Sequence, residues 1–191
     1  MARPARKKGD IEEAAIELFA SRGLAGTKVR DIAERAGVTE GALYRHYPGK
    51  NEMAARLFSR EVERFSKGLS AALYEGEGVF AARVRRAVEY IYGYYGDHPM
   101  RFAFILMTQH GFPGRRLLQE RFNPNDMVIE FVRRAMDAGE IPDGDAVLAA
   151  GLVMGAVMQP VVMHWNGRTG ASPTEAAGEV ARACMRILAR A

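Results

Sequence analysis

The chain has one cysteine, Cys184. No disulfide can form within it, which suits a reducing cytosol. It has four histidines, and His98, His110 and His164 stand at none of the spacings that hold a metal. No stretch alternates apolar and polar residues at the strand period, and no internal repeat is present. There is no glycine-rich phosphate loop and no Ser/His/Asp set in a recognisable motif, and the acids lie along solvated faces. The N-terminus is charged but lacks the apolar run of a signal peptide. These absences argue against a disulfide scaffold, a zinc module, a β-sheet protein and an enzyme. No cofactor and no metal are expected, and the expected location is cytoplasmic.

What remains is an all-α pattern. The 191 residues are 48% apolar, enough for a sizeable core in one large domain or two small ones. The net charge of +4 is unevenly spread. Residues 1–50 hold ten Lys/Arg against seven Asp/Glu, and residues 51–191 hold seventeen against sixteen. Arg3, Arg6, Lys7 and Lys8 make the N-terminal tip basic. A basic excess on the first quarter of the chain is a nucleic-acid footprint, or else a solvated tail.

Helical periodicity places a first helix over Ile11 to Arg22, capped by Asp10 and ended by a left-handed Gly23. Thr27 is expected to cap a second helix with Val29, Ile32, Ala33 and Ala36 inward, ended by Gly37. Thr39 caps a third, with Val38 and Leu43 placed as a hydrophobic staple. Pro48 and Gly49 stop it. Two helices joined by a short glycine turn suit the placing of the second in a major groove. The small residues Thr39, Glu40, Gly41 and Ala42 would let it approach base edges. Tyr44, Arg45, His46 and Lys50 offer a phenol, a guanidinium, an imidazole and an ammonium. Taken singly, each of these is equally well a cap, a packing group or a solvated charge.

The run from Ile11 to Met53 resembles the N-terminal domain of the tetracycline-repressor (TetR) family. The resemblance rests on the first helix and the Gly23 turn, on Thr27 and on Ile32-Ala33-x-x-Ala36-Gly37-Val38. It ends on Leu43-Tyr44-x-His46-Tyr47-x-x-Lys50. It covers about a quarter of the chain. It implies a helix-turn-helix that binds a double-stranded DNA operator, with Thr27, Lys28, Thr39, Glu40, Gly41, Ala42, Tyr44, Arg45, His46 and Lys50 as the DNA-binding set. Tyr44, His46 and Lys50 would meet the backbone. Ala42 stands where the family often has Thr or Ser, which removes one hydroxyl.

Further helices are expected over Lys50–Tyr74, Val79–Tyr95, a segment from Asp97-His98-Pro99, Arg115–Phe122, Asp126–Ala138, Ala146–Trp165 and one beginning at Ser172-Pro173. The Ala146–Trp165 segment is long enough to span a membrane. Gln159 and Pro160 within it and the lack of flanking basic clusters favour a buried or paired helix instead, and no membrane association is expected. Gly151 and Gly155 allow close helix contact. With the family resemblance, they imply a homodimer through the last two helices and so a palindromic operator. The domains expected are 1–50, a DNA-binding helix-turn-helix domain with a basic arm, and 51–191, a helical ligand-binding and dimerisation domain. The resemblance also implies a small-molecule effector, apolar or aromatic. Tyr90, Tyr94, Phe102, Met107, Met127, Phe131, Met154 and Met158 are candidates to line its pocket or to serve only as core. The function expected is a ligand-responsive repressor. The alternative is a DNA-bound regulator or architectural protein controlled by a protein partner.

Overall fold

The computed structural model describes residues 4–111 and 123–189, with side chains placed for 7–106 and 123–189. The side chains of Arg3, Arg6 and Met107 and the helix expected over Arg115–Phe122 lie outside the described residues. Among the described residues there are nine α-helices and no strand. They are α1 (Pro4–Gly26), α2 (Val29–Arg35), α3 (Glu40–Tyr44), α4 (Lys50–Tyr74), α5 (Phe80–Asp97), α6 (Pro99–Gly111), α7 (Pro124–Asp137), α8 (Ala146–Trp165) and α9 (Pro173–Leu188).

The chain forms two compact units, and neither ends at residue 50. One holds α1, α2, α3, α4 up to Glu63, and α6. The other holds α4 from Arg64 on, α5, α7, α8 and α9. In the first unit α1 packs on α6 and α2. Phe19 stacks on Phe104 with centroids 5.9 Å apart, and Phe58 meets Phe104 edge-on at 6.1 Å. Phe102, Ala103, Phe104 and Ile105 of α6 are buried, four consecutive apolar residues that give this turn no solvated face.

Glycine ends several helices where the pattern places it. Gly37, at φ +64°, lets Val38 N–H reach the Ala33 carbonyl and Gly37 N–H reach Glu34, so both late carbonyls of α2 are satisfied. Gly139 ends α7 in the same way. Gly23 differs from the left-handed stop expected of it. Its φ of 70° and ψ of 169° fall in a region almost reserved for glycine, and it breaks α1 sharply. α1 also starts earlier than expected, at Pro4, so Asp10 lies inside the helix and is not a cap. Proline is tolerated in a first turn, where its missing N–H is no loss. Pro124 likewise opens α7, with Asn123 Oδ1 accepting from Asn125 N–H at 3.0 Å.

In the second unit α5 packs against α9 and α8, and α7 packs against α8. Gly68 on α4 makes room for a ring. A Cβ there would stand 2.3 Å from the Tyr90 ring, whose hydroxyl donates to the Phe65 carbonyl at 2.9 Å. α8 opens on Asp145, whose carboxylate accepts from Val147 and Leu148 N–H. It runs through Pro160 without ending. Proline removes one helix N–H and disturbs the turn before it. Within that turn the Val157 carbonyl accepts from the Tyr92 hydroxyl at 2.9 Å, a bond that ties α5 to α8. Tyr92 is fully buried. Replacing Tyr92 with Phe should therefore lower unfolding stability by about 1 to 2 kcal/mol. The change should appear as a lower urea midpoint with an unchanged slope.

Candidate functional site

The helix-turn-helix is assembled on the broken end of α1. A helix end leaves carbonyls without donors. Here Thr27 is fully buried, and its hydroxyl is shared between the Gly23 carbonyl at 2.8 Å and the Leu18 carbonyl at 3.1 Å. The Lys50 ammonium donates to the Leu24 and Thr27 carbonyls, each at 2.7 Å. The positive charge at the start of α4 is poorly matched to that helix's own dipole. It is well matched to the carbonyl end of α1. Thr27 therefore does not cap α2, and its hydroxyl faces inward. Lys28 is the residue before α2, and its N–H donates to Asp31 Oδ2 at 3.1 Å. Lys50 is half-buried and acts first as a brace for the loop.

α3 is as short as the spacing predicts. Thr39 caps it, its Oγ1 accepting from Ala42 N–H at 3.2 Å. Leu43 is fully buried and fixes the inner face. Thr39, Glu40, Gly41, Tyr44 and Arg45 are exposed together, while Ala42 and His46 are half-buried. Lys28 is exposed at the start of α2. A five-residue helix has little macrodipole, so close approach rests on the small side chains and not on helix charge. Nothing lies within 4 Å of a Cβ built at Gly41, so that position is open on its outer side.

A buried charge network holds the head from behind, and periodicity did not single it out. Glu12 accepts from the Tyr47 hydroxyl at 2.5 Å and from Arg60 Nη1 at 2.6 Å. Glu61, fully buried, accepts from Arg101 Nη1 at 2.7 Å and from Arg60 Nε at 3.3 Å. Arg101 also pairs with Glu13. This ties α1, α4, α6 and the residue three past α3 together. The signal was present: Glu12, Ile16 and Ala20 share a face of α1, and Ile16 and Ala20 are buried. Burial pushes the Glu12 carboxyl up. The Tyr47 hydroxyl, Arg60 and Lys8 outweigh it and hold the group below its ordinary value.

The second unit contains a cavity of about 60 Å3; among the described residues it is lined by fourteen side chains, all apolar. Of the residues expected to line a pocket, Phe131, Met154 and Met158 do so. Tyr90 and Tyr94 do not. They gather on Phe65, with centroids 5.6 and 5.3 Å away. Met127 is not among the lining residues either, and its carbonyl accepts from Tyr74. Phe102 belongs to the core of the other unit. Valine is the commonest lining residue, six of the fourteen, with Leu69 and Leu73 of α4 and Leu188 of α9 beside it. Aromatic and Met content suggested a pocket, but the valines that form it look like ordinary core.

α8 keeps one face outside. Val147, Leu148 and Leu152 are 57%, 60% and 51% exposed, and Gly151 and Gly155 lie beside them. By length and composition this helix passes the test for a membrane span. At its end the Tyr95 hydroxyl meets His164 Nδ1 at 2.7 Å.

Comparisons with known proteins agree with the first unit. The family model for bacterial regulatory proteins of the tetR family matches residues 11–57. The HTH-type transcriptional repressor KstR2 of Mycobacterium tuberculosis is 47% identical over 51 residues, 27% of this chain and 26% of the relative. The HTH-type transcriptional activator FasR of Mycolicibacterium smegmatis is 32% identical over 124 residues, 65% of this chain and 48% of the relative. The chain thus spans between a quarter and a half of these relatives' length. The transcriptional regulator FadR from Bacillus subtilis, solved in complex with stearoyl-CoA, shares the fold. The TM-score is 0.73 at 18% identity, covering 93% of this chain and 97% of that one.

Two outcomes test this geometry. Lys50→Ala should lower the melting temperature and DNA affinity together, whereas Arg45→Ala should lower affinity more than tenfold and leave melting within about a degree. A Lys50→Ala protein with unchanged melting would refute the brace. The Glu12 carboxyl is held low, so its contribution is complete above pH 4.5, its ordinary value, and is lost as pH falls through the lowered one. Glu12→Gln should flatten the acid side of the stability–pH curve, read by thermal melts from pH 6 down to pH 3.

Proposed function

The chain belongs to the TetR family of transcriptional regulators, and from that premise we propose that it is a sequence-specific repressor released from a palindromic operator by a small apolar molecule. The observation that carries this reading is the exposed start of α3. Thr39, Glu40 and Gly41 are small or short there, and Tyr44 and Arg45 stand next to them on a braced support. Base edges are met by Thr39, Glu40, Gly41 and Ala42, and phosphates by Lys28, Tyr44, Arg45 and His46. Lys50 and Thr27 are positioning residues that hold the loop.

The exposed apolar face of α8 supports a second copy of the chain as its partner. Leu148, Leu152 and Gly155 recur at helical spacing, and the exposed glycines admit a close approach. A two-fold dimer carries two heads and so reads an inverted repeat, its half-sites about one helical turn or a multiple apart. With a DNA partner, the location is the cytoplasm.

The cavity supports small-molecule control over control by a protein partner alone. α4 lines the cavity with Leu69 and Leu73 and carries Lys50 at its first turn. A ligand that prefers one setting of α4 therefore shifts the population of binding-competent heads. B. subtilis FadR, with the same fold, is a regulator that holds a ligand.

Selection from random DNA should return inverted repeats, and light scattering should give a dimer. Leu152→Glu should yield a folded monomer that has lost at least tenfold in affinity for the selected repeat. Binding that is salt-sensitive but indifferent to sequence would rule out the repressor. An undiminished Leu152→Glu protein would rule out α8 as the interface.

A further inference from the structure

We propose that the molecule bound in the second unit's cavity is an aliphatic chain, an alkyl or acyl group with its polar end outside, and not an aromatic ring system. The inference rests on the repressor reading for its regulatory meaning, but its own ground is the chemistry of the walls. Thirteen of the fourteen lining residues are aliphatic or thioether side chains. The one ring among them, Phe131, is already engaged. It stacks on Phe80 with centroids 5.1 Å apart and planes 15° apart, takes the edge of Tyr74 at 5.8 Å, and has the Arg83 guanidinium 5.4 Å away. A planar aromatic ligand gains most from offset stacking or an edge-to-face ring, and these walls have no uncommitted partner for either. Tyr90 and Tyr94, which would supply one, are packed on Phe65 instead.

Among the described residues, no lining residue carries a polar side chain. A carboxylate, amide or ring nitrogen placed inside would lose its water without gaining a hydrogen bond from those side chains, and so would be rejected. A hydrocarbon loses nothing by that transfer. The stiffness of the walls points the same way. Six lining residues are valines, held to few rotamers on their helices, which leaves their side chains little freedom to rearrange around a wide ligand. Lining on α5 runs from Val84 to Ile91, a length of about 10 Å at the helical rise. Met154 and Met158 are the unbranched, adaptable members, and a chain longer than the present space requires them to move aside.

The test uses the full chain and two readouts. Calorimetry measures binding of dodecanoic acid, dodecanoyl-CoA, dodecanol, naphthalene and 1-naphthoic acid. Fluorescence anisotropy measures release from an operator selected out of random DNA. At least one dodecyl probe should bind at one per chain, at least tenfold tighter than either naphthalene probe, and should weaken operator binding at least tenfold. Which of the three dodecyl probes binds tightest tells whether the outer end is a carboxylate, a thioester-linked nucleotide or a hydroxyl. Met158→Phe and, separately, Met154→Phe should weaken dodecyl binding at least tenfold with melting and ligand-free operator affinity unchanged. Tighter binding of a naphthalene probe, or no binding of any dodecyl probe, overturns the assignment. Dodecyl binding that neither Phe variant alters overturns its placement in this cavity. If no selected DNA is bound, the repressor reading falls while calorimetry still decides the ligand class.

Discussion

A helix that ends inside a folded unit leaves carbonyl groups that must find donors, and the reading head begins where α1 ends. That constraint organises the first unit. Gly23 takes the backbone out of the helix in a conformation close to glycine's alone. The Thr27 hydroxyl and the Lys50 ammonium then close the freed carbonyls from two sides. The start of α2 and the start of α4 are fixed by the same four bonds. α3, only five residues long, has too little of its own to set its position, and it inherits a rigid base. The network of Glu12, Tyr47, Arg60, Glu61 and Arg101 does the same from behind, in a setting where each buried charge would be costly without its partner.

The second unit answers a different physical problem. α8 is apolar along most of its length, yet it has one buried face and one exposed one. Its inner face packs with α7 and α9 and accepts a hydrogen bond from Tyr92. Its outer face exposes leucine and valine beside glycine. Apolar surface of that kind lowers its free energy by being covered, and a second copy of the same helix is the occupant we propose for it. α8 also shares the lining of the cavity with α4, α5, α7 and α9.

The helices were legible where one strong local signal decided them. The limits expected for α4 and α8, Lys50–Tyr74 and Ala146–Trp165, are the limits observed. The Thr39 cap and the buried Leu43 followed from spacing alone. What spacing could not give was direction in three dimensions. Thr27 stands at a sequence position typical of a cap, but whether its hydroxyl turns to solvent or to the Leu18 carbonyl depends on how α1 bends at Gly23. For Lys50 the family resemblance implies a contact to the DNA backbone. The compensating carbonyls lie more than twenty residues back in the chain and come close only through the fold. Phe102 was grouped with pocket residues by type, and α6 carries it into the other compact unit. Valines give no periodic hint that they surround space and not one another.

Lys50 and Thr27 grip the loop after Gly23 through main-chain oxygens, and every residue type supplies that oxygen. The side chains of Leu24 and Ala25 make none of these bonds, and Gly26 has no side chain to offer. The grip is therefore blind to what those three residues are and sensitive only to how many there are. One residue added or removed would shift both carbonyls relative to Lys50, while a change of side chain at the three leaves the bonded oxygens themselves in place. For anyone re-aiming this reading head, that short loop is a place where composition is free and length is fixed.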